Sequence, residues 1–180
     1  IGKKFPSVEV KIDNPNEEGI GEVLAKGPNI MQGYYNNEEE TSKVLQDGWF
    51  RTGDYGYIDK DNFLYITGRK KDIIVLKNGK NVYPQEIEFL INKIPYITES
   101  IVYSRNQDTT DTMLCAKIVY DETIAKEMLG EKTVEEYKDI IWEDIKKINK
   151  ELPIYKHIKN ITITTEPLIK TTTQKVKRFE

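Results

Sequence analysis

Cysteine and histidine are almost absent: Cys115 and His157 are the only ones in 180 residues. One thiol excludes an internal disulfide framework, and the two residues together cannot furnish the ligand set of a zinc site or a Cys-His catalytic pair. Cys115 lies in the apolar run Met113-Leu114-Cys115-Ala116, where a small buried hydrophobe is expected. His157 is expected to be structural. Long apolar runs are also missing, since no stretch approaches the roughly 18 consecutive residues of a membrane span, and no basic-then-apolar leader precedes Phe5. These absences predict a cytoplasmic protein without a transmembrane segment, and leave room for peripheral membrane contact. There is no G-x-x-x-x-G-K-[ST] phosphate loop, and Gly19-Ile20-Gly21 lacks the third glycine of the dinucleotide fingerprint. Nor does one sign of charge prevail. The 27 Lys and Arg against 30 Asp and Glu leave a formal charge of -3, so no global field draws the chain to nucleic acid, and no nucleic-acid partner is expected.

What is present suits a folded protein. A hydrophobic content of 38% is enough for one moderate core or two small ones. Residues 5–12 alternate, with Val8, Val10 and Ile12 on one side, and predict a half-buried strand ended by Asn14-Pro15-Asn16. A second strand is expected over Glu22 to Lys26. Asn37 before Glu38, Glu39 and Glu40 reads as the N-cap and acidic first turn of a short helix through Leu45, stopped by Gly48. From Tyr55 to Thr67 the pattern is strand, turn, strand, with Asp59-Lys60-Asp61-Asn62 as the turn.

Beyond Gly68 helical spacing enters. Pro84 opens a helix carrying Ile87, Leu90, Ile91 and Ile94, and Pro95 closes it. Strands are expected around Ser100 to Tyr103 and Met113 to Tyr120. Thr133 with Glu136 forms a capping box ahead of the stripe Val134, Tyr137, Ile141, Ile145, Ile148 and Leu152, which predicts the longest helix and reads as core. Ile161 and Ile163 alternate with threonines in a last strand. The order helix, strand, strand, helix, strand over residues 84–164 predicts a small α+β unit, with a boundary near Gly68 to Asp72. The chain opens with Ile1-Gly2-Lys3-Lys4-Phe5 and strand-like patterning starts at once, as expected if a larger polypeptide precedes it.

Three segments carry candidate chemistry, and each alone has two readings. Arg51-Thr52-Gly53-Asp54 reads as a short polar turn, whose carboxylate can accept from two vicinal hydroxyls or be an ordinary turn aspartate. Gly68-Arg69-Lys70-Lys71-Asp72, followed by Ile73-Ile74-Val75-Leu76 and Lys77-Asn78-Gly79-Lys80-Asn81, offers cations for phosphate or ribose, or is a hairpin with a solvated flank. Lys170-Thr171-Thr172-Thr173-Gln174-Lys175-Val176-Lys177-Arg178 is locally basic and flexible in composition. It can present a lysine to a phosphoanhydride, or be a solvated terminus.

The order of these segments, joined by Gly21-Glu22-Val23-Leu24, Gly27-Pro28-Asn29-Ile30-Met31 and Gly33-Tyr34-Tyr35-Asn36, resembles the adenylate-forming superfamily of acyl-CoA synthetases, luciferases and peptide-synthetase adenylation domains. The block from Lys71 to Pro84 resembles that of bacterial long-chain fatty acid-CoA ligases. The resemblance implies an α+β fold in which residues 1–68 are the last β subdomain of a large amino-terminal domain, 69–72 a hinge, and 73–180 a compact, mobile carboxy-terminal lid with a small sheet and packing helices. It also implies a site. Asp54 would hold the ATP ribose hydroxyls, Arg69 would support ribose or phosphate, and Lys71 would be the hinge position. Gly79 would lie in a loop approaching the CoA pantetheine channel, and Lys175 would reach the reacting centre during adenylation. Ile169 and Gln174 depart from the proline and glycine frequent at those positions. ATP, Mg2+, CoA and a fatty acid are the implied ligands of the intact enzyme, with the missing amino-terminal domain as partner. The phosphate loop, adenine pocket, magnesium-binding glutamate and acyl tunnel of the family all precede residue 1. The fragment alone is thus expected to bind ATP poorly and catalyse nothing. Loading of a carrier protein instead of CoA, and a free-standing interaction module, are the alternatives.

Overall fold

The structure, a computed structural model, describes residues 2–107, 111–170, 172 and 176–178. Its chain divides into two compact units, Ile1–Asp72 and Ile73–Glu180. The fold is α+β.

In the first unit β1 is Gly2–Lys3, β2 Glu9–Asp13 and β3 Gly21–Lys26. β2 begins later than alternation alone predicts. Pro6 fixes a turn in which the Val8 amide donates to the Phe5 carbonyl at 3.0 Å, so residues 5–8 bend instead of extending. Asn37 caps α1 (Glu38–Val44) by accepting from the Glu40 amide at 3.1 Å, as expected. β4 (Leu45–Gln46), β5 (Trp49–Ile58) and β6 (Phe63–Arg69) complete a six-stranded antiparallel sheet in the order β1-β6-β5-β3-β2, with β4 beside β5. The β5–β6 hairpin uses the predicted Asp59 to Asn62 turn. Asp59 Oδ1 accepts from the Asp61 and Phe63 amides at 2.9 and 2.8 Å, and Asn62 takes the left-handed conformation such a turn requires. A single 3-10 turn, Lys70–Asp72, ends the unit.

The second unit opens with a small hairpin, β7 (Ile74–Val75) and β8 (Asn81–Val82). Pro84 then occupies the first turn of α2 (Pro84–Ile91), where its missing N–H costs nothing. β9 (Ile97–Gln107) and β10 (Asp111–Tyr120) pair antiparallel and run longer than the apolar residues alone indicate. α3 (Glu122–Leu129) is a helix the sequence reading did not include. It has two turns, its only fully buried side chain is Ala125, and its Asp121 cap follows β10 without a loop. α4 (Val134–Glu151) has the predicted capping box, with Tyr137, Ile141 and Ile145 buried and Val134 exposed. Burial of each such side chain contributes about 1.5–3 kcal/mol.

β11 (Asn160–Thr164) pairs parallel with β10, giving the order β11-β10-β9, and α2 and α4 pack on this sheet and on each other. Cys115 is buried as expected, and burial raises its thiol pKa, which makes it less reactive. The His157 ring bonds the Leu152 carbonyl at 3.0 Å, just past the end of α4, a structural role. Among the described residues no helix is long and apolar enough to cross a membrane.

Candidate functional site

Arg51-Thr52-Gly53-Asp54 is not a turn. All four residues lie within β5, and the sequence reading is corrected by the reason Gly53 is there: at φ +70 it occupies the left-handed region and bulges the strand without ending it. The ladder shows the extra residues, since Glu22 pairs with Tyr55 while Leu24 pairs with Arg51. Thr52 fastens the bulge, donating from Oγ1 to the Val23 carbonyl at 2.8 Å and accepting from the Asp54 amide at 3.1 Å.

The bulge re-aims Asp54. It lies directly opposite Arg69 on β6, and Arg69 Nε meets Asp54 Oδ1 at 3.0 Å. The carboxylate remains 30% exposed and the guanidinium 44%. A polyhydroxylated, anionic ligand can therefore reach both a hydroxyl acceptor and a cation at one place. Two of the five predicted site residues are thus brought together.

Behind this pair lies a network that motif reading missed. Glu22, only 7% exposed in its side chain, receives Arg51 Nη1 at 3.0 Å and Lys70 Nζ at 2.9 Å on the same oxygen, Oε2. Arg51 also grips Asp13 through Nη2 at 2.7 Å. A buried carboxylate requires such partners. The signal in the sequence was a glutamate in an otherwise apolar strand, Gly21-Glu22-Val23-Leu24. Lys71 lies next to Lys70 in the closing 3-10 turn, one residue before the first unit ends.

In the second unit Gly79 closes the β7–β8 hairpin. Its amide donates to the Leu76 carbonyl at 2.9 Å, the Leu76 amide donates to Lys80 at 2.9 Å, and Asn78 Oδ1 accepts from the Lys80 amide at 3.0 Å. Gly79 has φ +78, the left-handed position of a tight hairpin, and nothing lies within 4 Å of where a Cβ would be. Its backbone is open to close approach. Beside this loop is an open cleft of about 670 Å³ whose lining mixes Lys77, Lys159 and Tyr155 with the apolar Leu76, Met113 and Ile154. Lys80 Nζ sits 4.5 Å from the Tyr155 ring centroid. Cations around an aromatic face suit a phosphorylated heteroaromatic ligand.

Lys175 lies outside the described residues, as do residues 171, 173 and 174, but Lys170 before it and residues 176–178 after it are described. Lys170 bridges Val176 in an antiparallel β-bridge, and the Lys177 amide donates to Ile169 at 2.8 Å. Lys170 Nζ pairs with Glu99, and Arg178 pairs with Glu88 through Nη1 and Nη2. The tail at these positions is not the solvated terminus its composition also allowed, because each stem is ion-paired to the sheet or to α2. Glu88 was missed as a partner. Its signal was a carboxylate on the apolar stripe of α2, between Ile87 and Ile91, both fully buried.

Among the described residues no group of three or more His, Cys, Asp or Glu could hold a metal ion.

Comparison with known proteins bears on this geometry. The profile of the AMP-binding enzyme C-terminal domain matches residues 71–179. A long-chain-fatty-acid–CoA ligase of Bacillus subtilis is 50% identical over 108 residues, covering 57% of this chain and 19% of that protein. A 2-succinylbenzoate–CoA ligase of Listeria innocua is 36% identical over 159 residues, covering 87% of this chain and 31% of that protein. Among solved structures, o-succinylbenzoate CoA synthetase of Bacillus subtilis, in complex with its acyl-adenylate intermediate, superposes with TM-score 0.77 at 28% identity, covering 98% of this chain and 34% of that one. The chain spans between about a fifth and a third of the length of these proteins.

Proposed function

The chain belongs to the AMP-binding enzyme C-terminal domain family, and from that membership we propose that it is the carboxy-terminal portion of an ATP-dependent long-chain fatty acid-CoA ligase. The observation that carries this reading is the Asp54–Arg69 pair, an exposed carboxylate and guanidinium held together across two strands. In the first half-reaction the fatty acid carboxylate attacks the α-phosphorus of ATP, forming the acyl-adenylate and expelling pyrophosphate. Asp54 accepts hydrogen bonds from the ribose hydroxyls, and Arg69 supports ribose or phosphate. Negative charge accumulates where the two anions meet, and the Lys175 ammonium is the group of this chain that neutralises it.

In the second half-reaction the CoA thiol attacks the acyl carbonyl and AMP leaves. This step needs an open thiol path in place of the lysine, so Lys71 serves as the pivot and the Gly79 loop borders the pantetheine. The cleft beside that loop, where Lys77, Lys159 and Tyr155 stand among apolar residues, favours CoA over a carrier protein as acceptor, because it offers a place for the nucleotide end of CoA. The long-chain fatty acid is favoured by the Lys71 to Pro84 block and by the likeness to the Bacillus ligase. The remaining machinery, including the amino-terminal domain, is supplied by the rest of the polypeptide, and the enzyme acts in the cytoplasm.

The test uses the complete polypeptide. ATP–pyrophosphate exchange with acids of graded chain length should peak with long chains. Lys175→Ala should lower exchange by about 100- to 1,000-fold while sparing thioester formation from supplied acyl-adenylate. Lys71→Pro should do the reverse. Equal loss of both steps in Lys175→Ala would refute its role, and exchange with only 2-succinylbenzoate or another aromatic acid would refute the substrate.

A further inference from the structure

The stems that flank Lys175 are held by charge as well as by one apolar anchor. Leu168 is buried, but Ile169 beside it is 65% exposed, so beyond Leu168 ion pairs carry the attachment. On the incoming side, Glu99 accepts the Leu168 amide at 3.0 Å through Oε2 and pairs with Lys170 through Oε1. On the outgoing side, Arg178 lies three residues after Lys175. Its guanidinium forks onto both oxygens of Glu88, with Nη1 2.8 Å from Oε1, and the two side chains are 14% and 10% exposed. Glu88 is itself tied to the sheet, because Oε1 accepts the Val102 amide at 2.7 Å.

A fork on a carboxylate fixes direction as well as distance, which a greasy contact does not. Withdrawing two charges from water to hold a chain end is costly, and here close fork geometry and the Val102 amide bond to Glu88 offset the cost. Glu88 also sits on α2, the helix that follows directly from the Gly79 hairpin. One rigid element therefore connects the two loops that the two half-reactions use.

We propose that Glu88 and Arg178, with Lys170 and Glu99, are positioning residues that fix both stems of the Lys175 segment and are required for adenylate formation but not for thioester formation. The proposal rests on the role assigned to Lys175 above. A displacement of the stem by about 1 Å would misplace the ammonium, at a cost on the order of 100-fold in rate.

In the complete polypeptide, Glu88→Gln keeps an oxygen for the Val102 amide but removes the charge that binds Arg178. It should lower kcat for ATP–pyrophosphate exchange on the order of 100-fold with little change in KM for ATP, and leave thioester formation from supplied acyl-adenylate within about twofold. Lys170→Met removes the more exposed partner, preserves folding, and should give the same split at about tenfold. Lys175→Ala measured in parallel separates the two ideas. If it abolishes exchange while both stem variants retain it, the clasp is wrong and the lysine assignment stands. If Lys175→Ala retains exchange, both fall. Hydrogen exchange gives a readout independent of turnover: the Lys177 amide, bonded to Ile169, should lose protection in Glu88→Gln. Retained protection, or equal loss of both half-reactions, would overturn the proposal.

Discussion

Asp54–Arg69 in the first unit and Glu88–Arg178 in the second join the same two chemical groups, yet their surroundings differ. The first pair is 30% and 44% exposed, the second 10% and 14%. Exposure keeps the first pair exchangeable: water competes for both partners, the net contribution is within about 1 kcal/mol, and an incoming hydroxyl or phosphate can take over a bond. Enclosure makes the second pair permanent, because separating it strands a charge without solvent. One arrangement is suited to receiving a ligand and the other to fixing a chain segment.

Each of four measurements can break or sharpen that contrast. The two tryptophans separate the units as probes, Trp49 on β5 and Trp142 on α4. The largest effect is expected for Arg178→Met. It leaves the enclosed Glu88 charge without a cation, held only by the Val102 amide, and should destabilise the second unit by about 3 kcal/mol, read from urea unfolding of Trp142 fluorescence in a Trp49→Phe background. A loss below about 1 kcal/mol would put this pair in the same class as the surface ones.

Next comes Gly53→Ala. No atom lies within 4 Å of the added Cβ, so the cost is backbone strain alone at φ +70, about 1–2 kcal/mol on the first unit. The Trp49 signal in a Trp142→Phe background measures it. Asp54→Asn should change that stability by less than about 1 kcal/mol, while raising KM for ATP in the complete polypeptide. A stability loss as large as that of Arg178→Met would erase the distinction between the pairs.

The smallest effect concerns acidity. Burial pushes the Glu99 carboxyl upward, but the Lys170 ammonium and the Leu168 amide together outweigh it and hold the group below the usual carboxylate range. A group lowered on folding stabilises the native state above its unfolded pKa and loses that contribution as pH falls through its folded value. The stabilities of the wild type and Glu99→Gln should therefore differ at neutral pH and converge on acidification below the ordinary carboxylate range. Parallel curves would exclude this ion pair as the source.

Legibility followed locality. The Asn37 cap, the Thr133–Glu136 capping box and the Asp59 to Asn62 turn each depend on residues within four positions of one another, and such local signals identified their elements, while the Asn78-Gly79 hairpin was one of two readings. The Gly53 bulge was invisible because it depends on what lies across the ladder: the same four residues that read as a turn are held in a strand by Val23. α3 was missed although its signals are local: Asp121 caps its start, Gly130 follows its end, and Ile124 and Leu129 join Ala125 against the core. Asp54 and Arg69 were both singled out, but their pairing is fixed by a register that no local motif encodes. Glu88 and Arg178 are 90 residues apart, and only the fold makes them neighbours.

The parallel pairing of β11 with β10 has a bearing on how the second unit comes into being. β9 and β10 join through a short connection and can zip soon after both emerge, whereas Ala116 meets Ile161 only after α3, α4 and their linkers have been made. Closing so long a loop is slow, since its entropy is lost before any contact rewards it. Until then one side of β10 is an unpaired edge beside a growing apolar face, and a nascent chain paused before residue 160 would be the aggregation-prone species on the ribosome.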